Sequence, residues 1–552
     1  MPTRRLQTVS TAAKEEPVTP SLYQQSIYDW VRDGSGSAVV IAVAGSGKTT
    51  TILEALKFIP PSQSVRLFAF NRAISETLKS RIPWKHVDAS TYHSAGYRAI
   101  LRELHAKIDT DRNKSRDLIR ESLSETDRRA YGDELARLLS LAKGIGMGVL
   151  VEDTLSVWRM LIEDHDLNFD YLIPPGRKTD EQFEQALQEE QTRVIGLARD
   201  LLAASNRAAQ EPFAWHIDFD DQLYLPVLWD LALPQYDWVM VDEAQDTNAI
   251  QREFVRRSLK PGGRLLAVGD PRQAIYQWRG ASHDAIDLIT KEFHACELPL
   301  SVCYRCGRSI VEKAQAIVEQ IEPAPDALPG QVVDLAHRST LLSLPLTSAI
   351  LCRNNAPLVR HAYELIREGI PCKVLGRDIG EGLKKLVYKL HPDSVDDLEQ
   401  KLRDYSRRET TRYRKLKQEA RAQGVEDRVA CLQTIIDSRD EEDRTVEGII
   451  EAVERLFGDA VQGQLTLSTI HKAKGQEWPT VALICSYLIP SKWAQGAAAL
   501  RQEENLLYVA YTRAQERLLI IDDKPEWLKK KEAREQDQSR EDLEEFVQER
   551  RW

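Results

Sequence analysis

The residues best placed to do chemistry form two short runs. The first, Ala42-Val43-Ala44-Gly45-Ser46-Gly47-Lys48-Thr49-Thr50, follows an apolar stretch and opens a helix-like one. Gly45 and Gly47 let the backbone approach and turn. The N–H groups from Ala44 to Thr50 and the helix N-terminus can cradle a triphosphate. Lys48 would reach the β- and γ-phosphates, and the Thr49 hydroxyl would hold Mg²⁺. The second run, Val239-Met240-Val241-Asp242-Glu243-Ala244-Gln245-Asp246, delivers two adjacent acids at the end of an apolar strand. Strand alternation points them differently. Asp242 would bind Mg²⁺ through water, and Glu243 would polarise an attacking water as general base. The chemistry implied is hydrolysis of a nucleoside triphosphate.

Positioning these groups requires a parallel sheet. Strand-like segments 38–43, 65–70, 238–241 and 265–268 alternate with helical stretches, which is the pattern of an α/β domain. A second set, 349–352, 372–375, 465–470, 481–484 and 518–521, implies a second α/β core. The intervening stretches are charged and helix-patterned. Val446, Ile449, Ile450, Val453, Leu456 and Phe457 recur at helical spacing, with Gly458 as the stop. The expected organisation is a disordered leader at 1–20, a first core at 21–97 and 211–290, and a helical insertion at 98–210. A second core follows at 291–382 and 444–524, with a short charged helical insertion at 383–443 and a charged tail at 525–552.

The 552 residues exceed what one hydrophobic core needs, and 29% charged with 42% hydrophobic residues is ordinary for a globular chain. No apolar run has the length of a bilayer span, and the N-terminus lacks the apolar centre of a secretory signal. Seven scattered cysteines point to reduced thiols and a cytoplasmic setting. His294, Cys296, Cys303 and Cys306 form a zinc set only on paper, with a single CxxC; buried small residues are the simpler reading. The formal net charge of -10 argues against a protein that coats nucleic acid, but not against a local basic groove.

The surroundings of the acids narrow the class. Asp242 to Asp246, followed by Val268-Gly269-Asp270-Pro271-Arg272-Gln273-Ala274-Ile275-Tyr276-Gln277-Trp278-Arg279-Gly280-Ala281, resembles the DEAQD and GDxxQSIYxWRGA motifs of the UvrD/Rep branch of superfamily 1 helicases. Matching motifs run in the family's order from about Leu22 to Ile521. The resemblance implies two RecA-like cores with ATP and Mg²⁺ between them. It places Gln24 or Gln25 at the adenine-reading glutamine and Gln273 at the γ-phosphate sensor. Tyr304 would stack on adenine and Arg305 would reach the γ-phosphate. Glu477 would meet the ribose, and Arg513 would be a second arginine finger. Thr91-Tyr92-His93-Ser94 looks like the family's TFHS motif on single-stranded DNA, and Ile217-Asp218-Phe219-Asp220-Asp221 resembles its DFDD motif. Asn71, Tyr276, Trp278, Arg279, His471 and Lys474 also match positions on the DNA path; an exposed indole can stack on any base. Three departures stand out: Gln476 replaces a leucine, Asn505 replaces an arginine, and Phe70 sits directly beside Asn71 instead of two residues ahead of it.

The expected protein is an ATP-dependent DNA helicase or translocase, 3′-to-5′ by resemblance, in the cytoplasm of a bacterial or phage-infected cell. Its partners would be single-stranded DNA and single-strand/duplex junctions, with no membrane, and it would act as a monomer or a DNA-dependent dimer. Two other readings are a DNA-stimulated ATPase that strips proteins from DNA without unwinding, and a nucleotide-operated switch that binds a partner protein. The stretch 401–421, rich in Lys and Arg with Tyr405 and Tyr413 interleaved, is a candidate contact for duplex phosphates; a solvated helix face explains the same residues.

Overall fold

The structure is a computed structural model. It describes residues 19–522 and 524, apart from 70–71, 107, 166, 168, 170–179, 211–214, 276–283, 336–337, 416–418, 441–443, 459–462, 492–493 and 495. The leader up to 18 and the tail from 525 therefore lie outside the described residues.

Two parallel sheets organise the chain. The first contains β1 (Ala38–Ala42), β2 (Val65–Ala69), β3 (Val87–Thr91), β4 (Tyr236–Val241), β5 (Leu259–Gly269) and β6 (Cys296–Leu300), in the order β3-β2-β4-β5-β1-β6. Every pairing in it is parallel. A short pair, β7 (Val302–Cys303) and β8 (Glu322–Pro323), leads out of it. The second sheet uses β9 (Gln331–Leu335), β10 (Ala349–Cys352), β11 (Cys372–Leu375), β12 (Phe457–Gly458), β13 (Leu465–Thr469), β14 (Trp478–Ile484) and β15 (Ala514–Ile521), in the order β12-β11-β13-β10-β14-β15-β9. The first sheet thus takes its edge strand from beyond residue 290, where the sequence reading ended that core. The polar opening Cys296-Glu297 and Pro299 hid β6 from a hydrophobic-run reading.

Parallel strands covered on both faces must be apolar throughout. Val39, Val241, Leu265 and Ala267 belong to one buried cluster, shared with the helices between β3 and β4. Their neighbours Val40, Met240, Leu266 and Val268 belong to the opposite cluster, with helices Leu22–Asp33 and Lys48–Ala55. Burying each such side chain contributes about 1.5–3 kcal/mol. Between β3 and β4 the described residues hold helices and no strand of either sheet, including Lys114–Ser122, Glu125–Ile145 and Asp180–Ala208. Arg377–Leu390, Val395–Lys415 and Glu419–Asp437 form the charged helical stretch between β11 and β12. The helix expected from Val446 ends at Leu456, and Phe457 and Gly458 pair as β12.

This topology places the motifs. β5 lies between β1 and β4, all three parallel. The phosphate loop after β1, the acids after β4 and Gln273 beyond β5 therefore emerge at the same sheet edge, the carboxyl end where α/β proteins bind ligands.

Candidate nucleotide and DNA site

The loop after β1 turns through two left-handed glycines, Gly45 at φ 69° and Gly47 at φ 76°, and Lys48 starts the following helix. A Cβ on Gly45 would lie 2.6 Å from Arg305 Cβ and 2.9 Å from Cys303 Sγ, so no side chain fits there. The Tyr304 N–H donates to the Gly45 carbonyl at 2.9 Å. From the second sheet's side, the Tyr508 hydroxyl accepts the Ala44 N–H at 2.8 Å. The loop is thus held by residues far along the chain. The Ser46 hydroxyl turns back to the Val43 carbonyl at 2.8 Å.

Lys48 Nζ lies 3.4 Å from Glu243 Oε2. Burial opposes its charge, but Glu243, Asp270 and Asp242 outweigh that and raise its pKa. Asp242 is pushed up to about 6 by burial and by the Glu243 charge. The Thr49 hydroxyl donates to Asp242 Oδ2 at 3.2 Å. That hydroxyl and carboxylate suit a Mg²⁺ ion, whose charge would offset the penalty on Asp242. Glu243 has the left-handed backbone angle φ 53°, an uncommon conformation for a side chain other than glycine. Gln245 Nε2 holds Glu243 Oε2 at 2.6 Å, and its Oε1 accepts the Asp270 N–H at 3.0 Å. Gln273 Nε2 donates to Asp270 Oδ2 at 2.7 Å. One hydrogen-bonded chain thus joins the ends of β4 and β5.

Of the two N-terminal glutamines, Gln24 is the one that bonds residues around the loop. Its Nε2 donates to Thr51 Oγ1 at 3.2 Å and its Oε1 accepts from Tyr304 OH at 3.4 Å. Gln25 instead bonds Asp29 along its own helix at 2.9 Å, away from the loop. Tyr304 is half exposed beside Gln24. Thr50, the third residue of the loop helix, is exposed.

Glu477 and Arg513 immediately precede β14 and β15, whose first residues Trp478 and Ala514 are in register. Arg305 Nε approaches Glu477 Oε2 to 2.5 Å without hydrogen-bond alignment, and Arg305 Nη1 donates to the Thr512 carbonyl at 3.2 Å. Arg513 is 1% exposed. It donates to the carbonyls of Val509 at 3.0 Å and Gln476 at 3.1 Å. Burial, then the neighbouring Arg305, lower it to about 10. Arg513 is thus a buried guanidinium satisfied by carbonyl oxygens, with the Arg305 guanidinium near it.

Among the residues expected to meet DNA, Thr91 caps helix Tyr92–Leu104 by accepting the Ser94 N–H at 3.2 Å. His93 stacks on Phe219, ring centroids 3.8 Å apart and 20° between planes. Burial lowers His93 to about 4, so its ring is neutral at pH 7. Phe219, 56% exposed, lies inside the DFDD-like run, which gave it no role of its own in the sequence reading. Tyr92 corrects the expectation: it is 2% exposed and stacks on Phe68 at 4.2 Å, because successive helix positions face different ways and this one meets the sheet. Lys474 is a second correction. Its Nζ lies 2.7 Å from Asp246 Oδ2 and 2.6 Å from the Gln273 carbonyl, so two buried acceptors draw it across to the first sheet and away from a DNA path. His471 is half-buried and lowered to about 4 by burial and Arg353. Asn71, Tyr276, Trp278 and Arg279 lie outside the described residues.

In the basic stretch, Lys401 pairs with Asp397 at 2.8 Å and Arg407 with Asp404 at 2.7 Å, while Tyr405 sits in the core. The side chains of Arg412, Lys415 and Arg421 lie outside the described residues. For the paper zinc set, Cys303 and Cys306 are buried and Cys296 is exposed; among the described residues no group of three or more His, Cys, Asp or Glu is placed to hold a metal. No described helix is long and apolar enough to cross a membrane.

Fold and site together define a P-loop protein of the two-core type, with one phosphate loop enclosed by two parallel sheets. The chain belongs to the UvrD/Rep helicase family. The model of the UvrD/REP helicase N-terminal domain matches residues 24–294, and that of the UvrD-like helicase C-terminal domain matches 464–521. F-box DNA helicase protein 1 of Schizosaccharomyces pombe is 25% identical over 520 residues, covering 88% of this chain and 55% of that protein. ATP-dependent DNA helicase Rep of Escherichia coli is 26% identical over 319 residues, 53% of this chain and 42% of that protein. A probable DNA helicase II homolog of Mycoplasma pneumoniae is 26% identical over 325 residues, 54% and 42% respectively. The chain spans about half the length of these relatives.

Proposed function

We propose that the protein is an ATP-dependent DNA helicase or translocase that moves 3′-to-5′ along single-stranded DNA. The observation that carries this reading is the contact of Arg305 with the loop of Lys48: a Cβ on Gly45 would meet the Arg305 side chain at 2.6 Å. The helices between β3 and β4, and those of 377–437, act as insertions in two RecA-like cores.

In this reading Gln24 and Tyr304 bind adenine, Glu477 the ribose, and the N–H groups of 44–50 the phosphates. Thr49 and Asp242 would hold a Mg²⁺ ion, which would supply positive charge to offset that of the phosphates. Glu243 orients water and accepts its proton. Lys48, Arg305 and Arg513 stabilise the charge spread over the transferred phosphoryl group, and Gln273 reports its presence. A γ-phosphate between Lys48 on one side and Arg305 and Arg513 on the other would strengthen the attraction between the two halves, and its loss would weaken it. Alternating closure and release therefore moves the cores relative to each other. Thr91, His93 and Phe219 offer a neutral aromatic surface for bases, with His471 on the second core.

Strand displacement on 3′-tailed and 5′-tailed duplexes tests this. Unwinding of the 3′-tailed substrate alone is expected. ATP turnover stimulated by DNA without displacement of either would leave the protein-stripping reading, and no stimulation would leave the partner-binding switch.

A further inference from the structure

Behind the exposed Phe219 lies a buried ionic cluster with no place in nucleotide chemistry. Lys114 Nζ meets Asp221 Oδ2 at 2.6 Å and the Ser205 carbonyl at 2.8 Å. Lys143 Nζ meets Asp221 Oδ1 at 2.7 Å and Asp218 Oδ2 at 2.9 Å. The two acids also cap each other: Asp218 N–H donates to Asp221 Oδ2 at 3.0 Å, and Asp221 N–H to Asp218 Oδ1 at 2.8 Å. The Ser115 hydroxyl adds a bond to Asp218 Oδ2 at 2.9 Å. All four charged residues are buried. Lys114 and Ser115 begin helix Lys114–Ser122, Lys143 lies in the last turn of Glu125–Ile145, and Ser205 belongs to Asp180–Ala208.

We propose that this quartet is a positioning device: by pinning Asp218 and Asp221 inward, Lys114 and Lys143 hold the intervening Phe219 outward against His93 and tie the insertion to the DNA-facing surface. Charge is not the cheapest way to fill such a site, since well-packed apolar side chains are often as stable. What the pairs add is direction. Two carboxylates fixed on both sides of Phe219 leave its backbone no freedom to turn the ring away. Three insertion helices converge on this one point, so a shift of the insertion is felt at the Phe219–His93 stack.

The inference rests on the reading of His93 and Phe219 as a single-strand contact, and the test separates the two. The ssDNA concentration giving half-maximal stimulation of ATP hydrolysis is measured for the wild type, Phe219→Ala, Lys143→Met and the double variant, with DNA-free turnover alongside. Losing an aromatic base contact is expected to raise that concentration about five-fold or more for each single variant. The double variant should be no worse than the weaker single, with DNA-free turnover of Lys143→Met within about two-fold of wild type. Effects that multiply, or equal losses of DNA-free and stimulated turnover at an unchanged half-maximal concentration, overturn the proposal. Should Lys143→Met not fold, the same cycle is run with Ser115→Ala, expecting about a two-fold rise that vanishes in the Phe219→Ala background; persistence of the rise overturns the proposal. A wild type indifferent to ssDNA overturns the DNA reading and this inference with it.

Discussion

Lys474 Nζ sits 2.7 Å from Asp246 Oδ2, and 2.6 Å from the carbonyl of Gln273. One side chain from beyond β13 thus touches the acidic run after β4 and the Gln273 turn after β5. Burial opposes the Glu243 charge, but Lys48 and then Lys474 are among the groups that outweigh it and hold its pKa down. Removing either partner leaves a buried charge, so Lys474→Met and Asp246→Asn should each lower stimulated ATP turnover about ten-fold or more. The double variant should recover part of the loss, with a coupling of about 0.5–3 kcal/mol. Steady-state kinetics of the four proteins measures it; strict additivity would show that the contact is incidental.

The two N-terminal glutamines should separate cleanly. Gln24 reaches Thr51 and Tyr304, whereas Gln25 reaches only along its helix. Gln24→Ala is expected to raise KM for ATP about ten-fold, and Gln25→Ala to leave it within about two-fold. A competition series with ATP and GTP adds a check: if the Gln24 amide reads the base, its loss narrows the preference between them.

The quartet behind Phe219 also has a stability consequence. Asp221→Ala leaves Lys114 and Lys143 facing each other in the interior, which should cost about 3–5 kcal/mol. Urea denaturation followed by far-UV circular dichroism reads this as an early transition. Simultaneous replacement of Lys114 by Met and Asp221 by Leu should cost much less, since no charge is stranded.

Asp220 gives the opposite sign. Burial, then the Asp218 charge, push its carboxyl up to about 6. A carboxyl held above its unfolded value near 3.9 keeps its proton in the fold while the unfolded chain has lost it. Folding stability therefore falls as pH rises from about 4 to about 6, and the full penalty stands above that. Asp220→Asn removes the penalty, on the order of 1–2 kcal/mol for this half-buried group. Its melting temperature should exceed that of the wild type at pH 7.5 and converge with it near pH 4; a constant difference across that range would exclude the linkage.

Much of the candidate site was legible because its residues follow apolar strands in unbroken local motifs. Lys48, Asp242 and Glu243 could be named from neighbours alone. What sequence could not show was orientation. Tyr92 and His93 are adjacent in the motif, yet one ring enters the core and the other meets Phe219. Lys474 was read toward DNA, but acceptors 228 residues earlier in the chain draw it elsewhere. β6 escaped notice because a strand opening with Cys296-Glu297 and containing Pro299 lacks an apolar run, although it seals the edge next to β1. The DFDD-like run containing Phe219 was visible, but not the partners of its acids: Lys114 and Lys143, far apart in the chain, meet Asp221 and Asp218 in the interior.

ATP hydrolysis with and without single-stranded DNA, for the wild type and for Lys48→Ala, tests the central claim most directly. Wild-type turnover should rise about ten-fold or more on adding DNA, and Lys48→Ala should show almost none under either condition. A wild-type rate that DNA leaves unchanged, or a Lys48→Ala protein that still hydrolyses ATP at the wild-type rate, would contradict the account.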